Sequence, residues 1–165
     1  MKFLMLFYPH SSDGDLTLLD IPCGSGPSSL TLLATLVSLR RDGAIAKLPL
    51  NVMVVGGDFS LTARQIFDSM LGRLKPELDS VGIKVTSLMI DWDATKGDST
   101  ANLVDHWFDA SPSAEEFVVC MSNFSGSLQD QGMFDDFMPN LQQILARLHN
   151  KGRNLLSALP RESTV

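Results

Sequence analysis

Apolar runs closed by glycine or aspartate alternate along this chain with stretches whose apolar residues recur at helical spacing. Leu16 to Leu19 is a short apolar run that stops at Asp20. Ser28 to Arg40 carries Leu30, Leu33, Ala34, Val37 and Ser38 at helical intervals, with Ser28 or Ser29 placed as an N-cap. Leu50 to Val55 is apolar and rich in valine, and it gives way to Gly56-Gly57-Asp58. Ser60 to Leu74 predicts a helix with Ala63, Ile66, Phe67, Met70, Leu71 and Leu74 on one face, bounded by Pro76 or kinked there. Ile83 to Ile90 is a third strand that ends at Asp91-Trp92-Asp93, and Ser99 to Phe108 is a short helix. Glu116 to Met121 is a fourth strand, ending at Ser122-Asn123-Phe124. Met133 to His149 is a long helix with Phe134, Phe137, Met138, Leu141, Ile144, Leu145 and Leu148 to one side. Asn154 to Leu159 is a fifth apolar run.

Strands that alternate with helices pair in parallel through right-handed crossovers. Runs apolar throughout, such as Val52 to Val55, suit a sheet covered on both faces. The expected fold class is therefore α/β: an open, doubly wound, mostly parallel sheet of about five strands. In such sheets a ligand lies beyond the carboxyl ends of the strands, so the residues that follow each run are the candidates for function.

Composition narrows the class. The chain has 165 residues, 44% hydrophobic and 19% charged, which fits one domain with a real core, spanning residues 1–165. No apolar run approaches the roughly 20 residues of a spanning helix, so no membrane partner is expected. Met1 to Tyr8 has one basic residue and no small-residue cleavage site, so it reads as an amphipathic or buried segment. Two distant cysteines, Cys23 and Cys120, make neither a disulfide framework nor a zinc site, and a cytoplasmic setting is the default. His10, His106 and His149 are scattered, and no metal is expected. A net charge of −6 argues against nucleic acid held by this domain alone.

The first strand leads into Asp20-Ile21-Pro22-Cys23-Gly24-Ser25-Gly26-Pro27, where glycines let the backbone turn and approach a ligand. Asp58 follows the second strand, where a carboxylate can accept from both hydroxyls of a ribose, though Asp58 and Ser60 are also placed to cap the next helix. Asp91 and Asp93 can equally be a solvated loop pair, Trp92 a packing residue, Asn123 a turn former and Cys23 a small buried residue. A dinucleotide site would want G-x-G-x-x-G, but position 29 is Ser29, and no Gly-Lys-Ser/Thr follows to make a P-loop.

This constellation resembles the class I, Rossmann-like S-adenosylmethionine-dependent methyltransferases. Leu19-Asp20 with Cys23-Gly24-Ser25-Gly26 looks like that family's first motif, and Gly57-Asp58-Phe59-Ser60 like its second-strand acidic motif. Asp93-Ala94 looks like its adenine-contacting motif, Phe117 to Asn123 like its fourth-strand motif, and Leu148 to Pro160 is similar to the segment entering its fifth strand. The resemblance implies S-adenosylmethionine as cofactor. It gives the loop Pro22, Cys23, Gly24, Ser25 and Gly26 to the methionine and ribose portions, and Asp20 to the loop or the cofactor's amino group. It gives Asp58 the ribose hydroxyls, Asp93 or Asp91 the adenine amino group, and Trp92 or Phe59, beside Ala94, the ring. Ser122 closes the cofactor side, while Asn123 and Phe124 face the methyl group and the acceptor as the catalytic positions. Pro22 stands where the family has a glycine, a loop around Arg41 to Pro49 is extra, and the family's last two strands are missing. The chain then reads as a minimal member, a fragment, or a subunit whose open edge a second copy or a partner covers.

The implied activity is methyl transfer to an unidentified acceptor by in-line displacement, in which alignment supplies most of the acceleration. The alternative is a non-catalytic S-adenosylmethionine-binding subunit or scaffold completed by a partner chain. A nicotinamide-type oxidoreductase of the same topology is a third reading, which the glycine spacing disfavours.

Overall fold

The structure is a computed structural model that describes residues 14–114, 116–121, 132–150 and 155–158. The chain runs β1 (Gly14–Asp20), α1 (Pro27–Arg41), β2 (Leu50–Asp58), α2 (Leu61–Asp79), β3 (Ile83–Asp91), α3 (Gly97–Ala110), β4 (Glu116–Cys120), α4 (Phe134–Asn150) and β5 (Leu155–Ala158). The strands form one parallel sheet in the order β3-β2-β1-β4-β5. Strand order reverses between β1 and β4, so a crevice opens beyond Asp20 and Cys120, which are register partners. The fold is thus α/β and doubly wound with five parallel strands, as the alternation of runs predicts. The segment 1–13 lies outside the described residues.

Each face of the sheet buries its own core. Alternate residues of a strand point to opposite sides. Leu16, Leu18, Val52, Val54, Ile83 and Val85 pack with Leu33, Leu36 and Val37 of α1 and Phe67, Leu71 and Leu78 of α2. Leu19, Val55, Ile90, Phe117 and Val119 pack with Leu103, Val104 and Trp107 of α3 and Phe137, Ile144 and Leu148 of α4. Thr17 is a buried polar residue in the middle of β1, and its hydroxyl accepts from Trp107 Nε1 at 2.7 Å and shares a 2.8 Å hydrogen bond with Ser111. Among the described residues no helix is long and apolar enough to cross a membrane.

Three local expectations change. Neither Ser28 nor Ser29 caps α1: Gly26 does so, at φ 79°, and Pro27 takes the first helical position, where a missing N–H costs nothing. Pro76 does not end α2, which runs on to Asp79 and stops before Gly82, at φ 78°. The apolar residues of α2 split into two faces. Phe67, Leu71 and Leu78 are buried, while Ile66 and Met70 are 47% and 42% exposed. The helix touches the sheet along a stripe narrower than its apolar arc.

Gly26 is a packing requirement as well as a turn. A Cβ built there would lie 1.9 Å from Cδ2 of Phe67, and the positive φ is itself unfavourable for other residues. Gly26→Ala should therefore destabilise the fold by about 2–4 kcal/mol. Urea unfolding monitored by circular dichroism checks this, and an unchanged midpoint would show that α1 does not approach Phe67 so closely.

Candidate functional site

The loop after β1 and the end of β2 are tied together by one carboxylate. Asp58 Oδ2 accepts from the Gly24 backbone N–H at 2.9 Å, and Oδ1 accepts from the Ser60 N–H at 2.8 Å. Gly24 reaches that bond at φ 51°, with no neighbouring atom within 4 Å of where a Cβ would stand. Cys23 N donates to Gly57 O at 2.9 Å, which adds a second tie between loop and strand. Ser25 is exposed, Pro22 half-buried behind a cis Ile21–Pro22 bond, and Phe59 76% exposed beside Asp58. Ser60 caps α2 by accepting from the Ala63 N–H, so capping and the Asp58 contact to the loop coexist.

Asp20 is fully buried at the carboxyl end of β1. Its Oδ2 accepts from Ser29 N at 3.2 Å and from the Ser29 hydroxyl at 2.7 Å, while Oδ1 has no partner among the described residues. Burial pushes its carboxyl up to about 6, against the pull of the Ser29 bonds. The first turn of α1 thus has a carboxylate of its own at the place where a helix would receive an anion. Burial also raises the thiols of Cys23 and Cys120 to about 12, so both are protonated near neutrality and neither is an activated nucleophile.

At the far side of the crevice Asp58 and Asp91 are register partners on β2 and β3. Like charges so placed repel, and Arg64 sits between them, with Nη1 donating to Asp58 O and, at 2.7 Å, to Asp91 Oδ1. The Asp91 side chain is 74% exposed and that of Arg64 11%. Trp92 is no stacking platform: it is buried, its Nε1 donates to Thr100 Oγ1, and its ring meets Phe137 edge-on. Asp93 closes its own turn, accepting from Thr95 N and Oγ1, with Lys96 paired at 3.0 Å. Those bonds hold its carboxyl down at about 2. Ala94 is half-buried, and its carbonyl accepts from Asn140 of α4. The crevice therefore brings together Asp20, the loop 22–26, Asp58, Phe59 and Asp91, while Trp92, Asp93 and Ala94 are engaged in anchoring the start of α3. Ser122, Asn123 and Phe124 lie outside the described residues.

Ser29, Arg64 and Gly57 shape the crevice although the sequence reading assigned none of them to the site. Ser29 had a readable signal, a hydroxyl on the first turn that follows a buried acid. Gly57 faces Ile21, Leu103 and Trp92, with a Cβ there 2.9 Å from Ile21 Cγ2. Its signal was the glycine pair inside an otherwise β-branched strand. Arg64 had none, because its partners come from the ends of two different strands.

No family model and no curated protein matches the sequence. Among solved structures the fold is similar to a short-chain dehydrogenase from Oenococcus oeni, at 13% identity and a TM-score of 0.52, over 90% of this chain and 62% of that one. Weaker likenesses are to a short-chain dehydrogenase from Mycobacterium thermoresistibile, at 18% identity and TM-score 0.46 over 92% of this chain and 52% of that one. Another is to an NADH-dependent reductase complexed with NAD, at 14% and 0.44 over 87% and 58%. The chain thus spans about half to three-fifths of the length of these neighbours.

The likeness to the Oenococcus oeni structure corrects the methyltransferase reading. The fold is similar to that of a short-chain dehydrogenase, so the family resemblance, S-adenosylmethionine as cofactor, the transferase activity and the alternative of an S-adenosylmethionine-binding scaffold are all set aside. The physical reason lies in how little the motifs required. The order β3-β2-β1-β4-β5 is common to dinucleotide folds, and Gly26 and Asp93, which helped carry the resemblance, have internal tasks against Phe67 and Thr95.

The raised Asp20 carboxyl makes stability depend on pH. Below about pH 4 folded and unfolded chains both hold the proton; between there and about 6 the unfolded chain releases it first, so stability falls as pH rises. The loss reaches about 3 kcal/mol above pH 6 and is absent in Asp20→Asn. Thermal unfolding of both proteins from pH 4 to 8 should show the variant gaining on the wild type as pH rises, other groups cancelling in the difference. Parallel curves would place Asp20 in water rather than in the core.

Proposed function

We propose that this chain is a nicotinamide-dinucleotide-binding domain of the dehydrogenase type, with the cofactor lying across the carboxyl ends of β1, β2 and β4 to serve hydride transfer. The observation that carries the reading is Asp58, at the end of β2 and hydrogen-bonded to the loop after β1. A carboxylate in that place accepts from the hydroxyls of an adenosine ribose. Each of its oxygens has one lone pair engaged, by Gly24 and by Ser60, and a second available. Exposed Phe59 offers an apolar face for a base next to that ribose. The Oenococcus oeni neighbour, described as a short-chain dehydrogenase, supports the class. Ser29 in place of the third glycine, with its hydroxyl on Asp20, leaves the loop 22–26 rather than the first turn of α1 to meet the phosphates. Two free cysteines agree with a reducing, cytoplasmic setting.

The reading predicts NADH binding at micromolar strength or better, about −8 kcal/mol, measured by calorimetry. NADPH should bind at least about tenfold more weakly, because a 2′-phosphate meets the Asp58 carboxylate. Asp58→Ala should lose the NADH isotherm while circular dichroism still shows a folded protein. S-adenosylmethionine serves as the competing ligand. A folded protein that binds it, or that binds no dinucleotide, overturns the proposal.

A further inference from the structure

Two buried polar atoms where β1 meets α1 have no partner among the described residues: Asp20 Oδ1 and Ser28 Oγ. Asp20 is fully buried and Ser28 is 5% exposed. The other oxygen of Asp20, Oδ2, accepts from both the N–H and the hydroxyl of Ser29. A buried polar group without a partner is costly, so this turn is unsatisfied as it stands. With Asp20 ionised, Oδ1 carries charge that no donor compensates. With Asp20 protonated, the proton belongs on Oδ1, because Oδ2 already accepts from two donors. The charge is then gone while both Ser29 bonds remain.

The same carboxyl governs what the neighbouring backbone can hold. Ionised Asp20 sets a negative charge against the first turn of α1, whose dipole would otherwise favour an anion. Burial does most to push the Asp20 carboxyl up to about 6; the Ser29 bonds oppose it, and the Asp58 charge adds to it. Asp58 is the group that holds the Gly24 N–H, so charge on the loop is already felt at Asp20. An anion on that loop is a further negative charge at the same corner and acts in the same direction. The groups facing Asp20 are Asp58 from β2, Cys23 in the loop and Cys120 on β4, while the first turn of α1 contributes no acid. Both thiols hold their protons to about 12, and Arg64 of α2 is bonded to Asp91. We propose, on the strength of the nucleotide reading, that Asp20 makes dinucleotide binding proton-linked: the pyrophosphate lies on the loop 22–26 with Asp20 neutral, and a proton passes from solvent to Oδ1 as the ligand binds. Asp20 is a positioning residue that acts through its charge. A ligand that favours the protonated form binds more tightly as pH falls.

Calorimetric titration of the full chain with NADH at about pH 6 and about pH 8, each in two buffers of different ionisation enthalpy, tests it. Binding should be about fivefold tighter at the lower pH, with net uptake of protons, when the ligand raises the proton affinity of the carboxyl about tenfold. Asp20→Asn is neutral throughout. At the higher pH it should bind about as tightly as the wild type does at the lower one, and its affinity should not change between the two. Circular dichroism shows that the variant is folded. In wild type carrying isotope-labelled aspartate, the Asp20 carboxyl resonance should titrate at higher pH with NADH than without it, which a merely structural role would not produce. NADH binding equally tight at both pH values, or an Asp20→Asn that keeps the wild-type pH dependence, overturns the inference and leaves the nucleotide reading standing. Absence of NADH binding by both folded proteins at both pH values removes the reading and the inference with it.

Discussion

The carboxylate of Asp58 is shared between two backbone amides that belong to different parts of the chain, Gly24 in the loop after β1 and Ser60 at the start of α2. One side chain at the end of β2 therefore sets both the path of that loop and the entry of the next helix. A charge-assisted bond to a backbone N–H is stronger than a neutral one, and here two of them meet on one group. Arg64 steadies the same corner from the other side by holding the Asp58 carbonyl and the Asp91 carboxylate. The rim of the crevice is thus organised before any ligand arrives, which is the condition under which a site binds without a large ordering cost.

The glycines of the rim answer to the core rather than to a ligand. Gly26 and Gly56 both clear Phe67, and Gly57 clears Ile21 and Trp92. Among the glycines of the rim, Gly24 is the one with open space where a side chain would be, together with a left-handed backbone. Of the Gly-x-Gly pair, only the first glycine is therefore free to answer to an approaching ligand. The second belongs to the contact between α1 and α2, and a short glycine motif is legible in sequence without revealing which of these reasons applies.

The same distinction explains how much else could be read. All five strands are legible as apolar runs, three of them (β1, β2 and β3) closed by Gly or Asp, because the inner strands of a parallel sheet covered on both sides are buried on both faces. Asp20 and Asp58 were legible as candidates because they stand at strand ends, and the structure places both carboxylates at the end of the sheet where β1 and β2 stop. Helix faces were less legible: Ile66 and Phe67 are neighbours in an apolar arc, and only packing decides that one is covered and the other is not. Trp92 and Asp93 misled for a related reason. A tryptophan between two acids at a strand end suggests a binding platform, yet the indole is buried and bonded to Thr100 through a contact that needs α3 in place. The family resemblance failed at this level too, since its motifs rest on residue types at strand ends and several of those residues are spoken for internally.

The charge pattern of the rim constrains any ligand that enters it. Asp20, Asp58 and Asp91 converge at one end of the sheet, and Arg64 is already bonded to Asp91 and to the carbonyl of Asp58. The first turn of α1, where a helix dipole would favour an anion, is occupied by Asp20. Groups that donate hydrogen bonds, such as ribose hydroxyls, are therefore favoured against Asp58. An anionic group is favoured only where the exposed backbone of the loop can reach it, away from the three carboxylates. A dinucleotide bound as proposed would therefore lie with its sugar toward β2 and its phosphates toward the loop, and with no phosphate on the ribose next to Asp58.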